Sequence, residues 1–149
     1  MAQTDSRMVS VMGIAAPMEN PLLPGVDIGS LDLPLMLVVA EEDNSITEAG
    51  NVLIRSNYTS APGPAWKAEV ADAGHWSFSD LCGLVETFDP GCGTDERQTA
   101  PGEVFSYLEP AQGRHIVSSL AAAFFLQTLT VQAGLVDGLS LEGVELEGR

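Results

Sequence analysis

Positive charge is what this chain of 149 residues has least of. It carries one lysine, Lys67, and six Lys and Arg together against 21 Asp and Glu, for a formal net charge of −15. Sequence-independent nucleic-acid binding needs cations to displace counterions from phosphates, so this balance argues against it. It argues equally against docking on an anionic membrane surface. Long apolar runs are also missing. The densest, 120–126, falls far short of the roughly 18 residues that suggest a membrane span. The opening Met1-Ala-Gln-Thr-Asp-Ser6 lacks the charged-then-apolar pattern of a secretory leader. No Cys/His cluster has zinc spacing and no glycine-rich loop cradles phosphate, so neither a metal nor a cofactor is expected. Asp89, Asp95 and Glu96 lack the spacing and closing Glu of a calcium loop and read as solvated acids. Cysteine is scarce too, with only Cys82 and Cys92. A bridge between them, around Asp89-Pro90-Gly91, would close a short loop, stabilise by up to about 3 kcal/mol and imply a secreted or periplasmic setting. Two reduced thiols would fit the cytoplasm, and the sequence leaves both open.

What is present is enough for one domain with a real core, at 45% hydrophobic and 18% charged residues. Three segments read as strands. Residues 8–15 are short, apolar and rich in β-branched side chains, and Pro17 stops them. Residues 35–40 form an unbroken apolar run, which suits a strand covered on both faces. Residues 66–71 follow the Ala61-Pro-Gly-Pro64 breaker. A helix is expected after the second strand, opened by a capping box of Ser45 and Glu48, with Val52, Leu53, Ile54 and Tyr58 as its apolar residues. A second is expected over 114–133, with Val117, Leu120, Ala121, Phe124 and Phe125 on its buried face and Gly134 as its stop. A shorter helix is expected over 80–85. Residues 1–134 thus read as the domain. Residues 135–149 read as a poorly ordered acidic tail or a loose edge segment.

These elements describe part of an open, mostly parallel α/β sheet, in which ligands and catalytic groups collect at the carboxyl ends of the strands. Three segments would meet there: Ala16-Pro17-Met18, Glu41-Glu42-Asp43 and Asp72-Ala73-Gly74-His75. A carboxylate after one strand and a His after its neighbour come within reach of each other on one rim. The acid then accepts from the imidazole Nδ1–H, fixes its tautomer and leaves Nε2 to take a proton from a nucleophile.

Residues 33–43 (Leu-Pro-Leu-Met-Leu-Val-Val-Ala-Glu-Glu-Asp), residues 70–80 (Val-Ala-Asp-Ala-Gly-His-Trp-Ser-Phe-Ser-Asp) and the closing Ala123-Phe-Phe-Leu126 resemble the C-terminal portion of an α/β-hydrolase. The likeness is to esterases of the dienelactone-hydrolase, chlorophyllase and platelet-activating-factor-acetylhydrolase kind, and it covers about residues 5–130. It implies a partial α/β-hydrolase fold of about three parallel strands with flanking helices, lacking the N-terminal half of the sheet. It places Asp43 as the triad acid and His75 as the base, and a small-molecule ester as substrate. Trp76 and Met18 become candidate substrate contacts on the same rim.

Two departures stand out. Glu41-Glu42 occupies the place where the family has a Gly after the strand, which makes Glu42 a substitute acid. No G-x-S-x-G occurs, so the nucleophile and its oxyanion amide are absent from the chain. Ser77 and Ser79 follow the His too closely to replace it, nothing marks Cys82 as a low-pKa thiolate, and His115 reads as a surface residue. The first strand would then have an unpaired edge. The chain is expected either to be an ester-hydrolase fragment inactive alone, or a non-catalytic interaction subunit that pairs this edge with itself or a partner.

Overall fold

The run Leu35–Ala40 has no polar side chain on either side of its backbone, and the fold buries both of its faces. In the computed structural model, which describes residues 7–18, 27–82, 84, 91–130 and 132–149, it is the middle of three parallel strands. They are β1 (Val11–Ile14), β2 (Leu35–Ala40) and β3 (Ala65–Val70), in register from Val11 to Leu35 to Ala65. Alternate residues of a strand face opposite layers. Met36, Val38 and Ala40 pack with Ile116, Leu120 and Phe124 of helix α2 (Pro110–Leu129). Leu35, Leu37 and Val39 pack with Ile54 of helix α1 (Thr47–Ser60). The result is a mixed α/β fold of three layers around a mostly parallel sheet.

The tail is an edge segment, as one of its two readings had it, and is not poorly ordered as the other had it. Residues Val144–Gly148 form a strand, β6, antiparallel to β3, and Val136 is fully buried. Its anchors are distant in sequence: the Trp66 indole N–H donates to Asp137 at 2.8 Å, and the Lys67 ammonium reaches Glu147 at 3.2 Å. Lys67 also meets Glu69 at 2.6 Å, and Arg55 of α1 bridges Glu69 and Glu48. Two of the chain's few cations thus fasten α1 and the tail to β3. A hairpin of β4 (Thr94–Glu96) and β5 (Val104–Ser106) was not expected at all.

The helices also depart in detail. The capping box does not form. Ile46 precedes α1 without a side-chain cap, Glu48 turns to Arg55, and the amides of Ser45 and Ile46 go instead to Asp43. Helix α2 starts earlier, at Pro110, whose missing N–H costs nothing in a first turn. It ends at Leu129, well before Gly134. Its buried face is rotated to Gly113, Ile116, Leu120, Ala123 and Phe124. The cause is Gly113: a Cβ there would lie 2.0 Å from the Ser77 carbonyl oxygen, so only glycine lets this face approach. Phe125 is turned outward. The helix expected over 80–85 and the turn at Asp89 and Pro90 reach outside the described residues.

Among the described residues, one sheet edge is bare. The amides of Val11 and Ala15 donate inward to Pro34 and Val38. Among the described residues nothing pairs with the other side of β1. Met8, Val9 and Ile14 are exposed there, as are Phe125, Leu126 and Leu129 of α2. A Thr128–Ser10 hydroxyl contact of 3.1 Å joins the two elements. Among the described residues no helix is long and apolar enough to cross a membrane.

Candidate active site

Because β2 and β3 are parallel neighbours with Ala40 opposite Val70, the turns that follow them open on one rim. The first turn carries Glu41, Glu42 and Asp43. The second passes through Asp72, held at a φ of 57°, a strained conformation for a non-glycine residue. It then enters a 3-10 turn, His75–Phe78. Ser77 is buried within it, and its hydroxyl accepts from the Gly74 amide at 3.0 Å. Ser79 donates to the Trp76 carbonyl at 2.9 Å. Both hydroxyls are therefore structural. Gly74 makes room for the Tyr107 ring, 2.7 Å from where a Cβ would stand, rather than serving a left-handed turn.

Asp43 and His75 meet. Oδ2 of Asp43 lies 2.9 Å from Nδ1 of His75, and a carboxylate only accepts, so Nδ1 carries the proton. The acid is 0% exposed. Its other oxygen, Oδ1, accepts the amides of Ser45 and Ile46 at 2.8 and 3.0 Å. Those bonds compensate its burial and fix its plane. The His75 ring is 27% exposed, and among the described residues nothing bonds to Nε2. Its pKa is raised: the bond to Asp43 raises it, partial burial lowers it, and the charge of Asp43 raises it again. Trp76 sets its ring edge-on against the imidazole, centroids 4.6 Å apart.

Glu42, the substitute acid, points elsewhere. It is 1% exposed and accepts from Gln98 N at 2.6 Å and Thr99 Oγ1 at 2.5 Å, with Arg97 at 3.4 Å. It anchors the loop after β4 and is not bonded to His75. Met18 is not brought to the imidazole either. It packs in the α1-side cluster, with its amide on the Asn57 side chain at 2.7 Å, because the chain folds back after β1. His115 is exposed on α2. Cys82 and Cys92 are joined as a disulfide. The bridge lines an open cleft of about 490 Å³ with Tyr107 and Glu109. Among the described residues no group of three or more His, Cys, Asp and Glu is placed to hold a metal ion. Arg97 and Tyr107 escaped the sequence reading. The one available signal was a lone cation, Arg97, among the acids of 94–109.

The two acids separate in one experiment. Asp43→Asn is expected to lower the His75 pKa, read by NMR titration of the ring protons. Glu42→Gln is expected to leave His75 above its ordinary value, because the Nδ1 partner stays. The reverse pattern would make Glu42 the partner. The sign carries over to stability. A raised folded-state pKa means that the His75 contribution is fully present below the unfolded value near 6.5 and is lost as pH rises through the folded value.

No family model, no curated protein and no solved structure matches this chain.

Proposed function

We propose that this chain is the acid-and-base portion of a serine-type carboxylic-ester hydrolase of the α/β-hydrolase kind, which acts once a serine is supplied from outside it. The single observation behind this is the buried Asp43 bonded to His75 Nδ1 at the carboxyl rim of a parallel sheet, with Nε2 bonded by none of the described residues. In the assembled site His75 Nε2 takes the serine proton as the hydroxyl attacks the ester carbonyl, then returns it to the leaving alcohol. Asp43 holds the ring and stabilises the imidazolium. Backbone amides that accompany the serine hold the oxyanion, each worth about 3 kcal/mol. The bare side of β1 supports a partner that adds strands there.

The chain alone is expected to hydrolyse p-nitrophenyl acetate no faster than free imidazole. Mixed with the N-terminal portion of a dienelactone-hydrolase-type esterase that bears the nucleophile elbow, it is expected to restore turnover that His75→Ala removes. Turnover by the chain alone that His75→Ala abolishes overturns the assignment. So does a complex, confirmed by size-exclusion mass, that hydrolyses nothing. The second reading, a non-catalytic subunit, rests on the exposed Phe125, Leu126 and Leu129 beside the β1 edge. An inactive complex favours it.

A further inference from the structure

We propose that Arg97 is a positioning residue for the Asp43–His75 pair, clamping the turn after β2 to the turn after β3 through Glu42 and Asp72. The inference rests on the role proposed for that pair, but it is read on the imidazole itself, so a missing serine does not decide it.

Asp43 and His75 come from separate turns. Asp43 is tied to the start of α1 by two amides. His75 stands on a partly exposed 3-10 turn beyond β3, and its own turn contributes no bond to the ring. At the backbone the turns are joined by the Glu42 amide, which donates to the Ala73 carbonyl at 2.9 Å; between their side chains they are joined by one guanidinium. Nη1 of Arg97 reaches Oε1 of Glu42, the residue before Asp43, at 3.4 Å. Nη2 reaches Oδ1 of Asp72, three residues before His75, at 2.5 Å. Nε is held by Glu103 at 2.8 Å, and the guanidinium lies 4.7 Å from the centre of the Phe105 ring. The hairpin thus supplies the anchor, and the two remaining nitrogens span the rim.

Each end of the clamp is reinforced. Glu42 also takes Gln98 N and Thr99 Oγ1, the groups just after Arg97. The strained Asp72 has its carbonyl bonded by the Leu108 amide at 2.8 Å, and its amide lies 3.3 Å from Glu41 Oε2. A planar fork with donors aimed in three directions fits this geometry, whereas an ammonium on a flexible stem does not hold it.

The test compares Arg97→Gln, Arg97→Lys and Glu103→Gln by NMR, following the His75 titration and the low-field Nδ1 proton of the Asp43 bond. Removing a nearby cation raises a histidine pKa by direct electrostatics, whereas a loosened Asp43 contact lowers it. The sign therefore separates positioning from charge. Arg97→Gln is expected to lower the His75 value and broaden the Nδ1 proton. Arg97→Lys keeps the charge and protects the fold should Arg97→Gln fail to fold. It is expected to shift both readouts the same way. Glu103→Gln removes a charge but keeps an amide oxygen to accept from Nε, so Glu42 and Asp72 stay clamped, and it is expected to match the wild type. A His75 value that rises in Arg97→Gln, or an Arg97→Lys protein identical to the wild type in both readouts, overturns the proposal.

Discussion

Phe124→Ala is expected to cost about 3–5 kcal/mol, a large part of the roughly 5–15 kcal/mol that holds a domain of this kind together. Phe124 is fully buried in the cluster between α2 and the sheet. Its ring meets Trp66 edge-on, centroids 5.9 Å apart. Truncation removes that contact and leaves a cavity between layers that cannot close, because Gly113 already brings α2 against the Ser77 carbonyl. The adjacent Phe125→Ser is expected to cost clearly less, since Phe125 is 37% exposed and keeps only part of its ring against Phe124, centroids 5.2 Å apart. Urea titration of both variants measures the difference. Equal losses would mean that α2 packs by the face the sequence suggested, not the one observed.

Breaking the Cys82–Cys92 bridge is expected to remove about 3 kcal/mol, the unfolded-state entropy of a short closed loop. For a chain of this size that lowers Tm by about 10 °C. The bridge ties the segment after His75 to Gly91 and Gly93, and Gly93 accepts the Tyr107 amide at 2.8 Å. Scanning calorimetry with and without dithiothreitol, alongside the Cys82→Ser/Cys92→Ser double variant, gives the value. Coincident melting curves, with two thiols titrating before reduction, would show that no bridge forms.

The parts of the fold that local chemistry dictates were legible. The run from Leu35 to Ala40 could only be a strand covered twice, and the acid and histidine follow two such strands directly. Their meeting needed only the adjacency of β2 and β3. Choosing Asp43 over Glu42 was not legible from composition, because both are acids one residue apart. What separates them is that Glu42 faces the loop at 97–99, more than fifty residues on. The hairpin was invisible for a related reason: the three residues of β4 are all exposed, and Arg97 ties the hairpin to acids far away in sequence. The tail misled because Gly138 and Gly143 interrupt its alternation, while Val144-Glu-Leu-Glu147 does carry the period of two that β6 uses. The face of α2 was misjudged by one residue because a glycine contact, not apolar spacing, sets its rotation.

The two rims of the sheet are unlike. Beyond β6 lie the exposed Glu145 and Glu147, the latter paired with Lys67, and charged borders generally disfavour a further strand. On the β1 side the described residues offer no such guard. A strand that adds to this sheet is therefore expected on the β1 side, one companion to each chain.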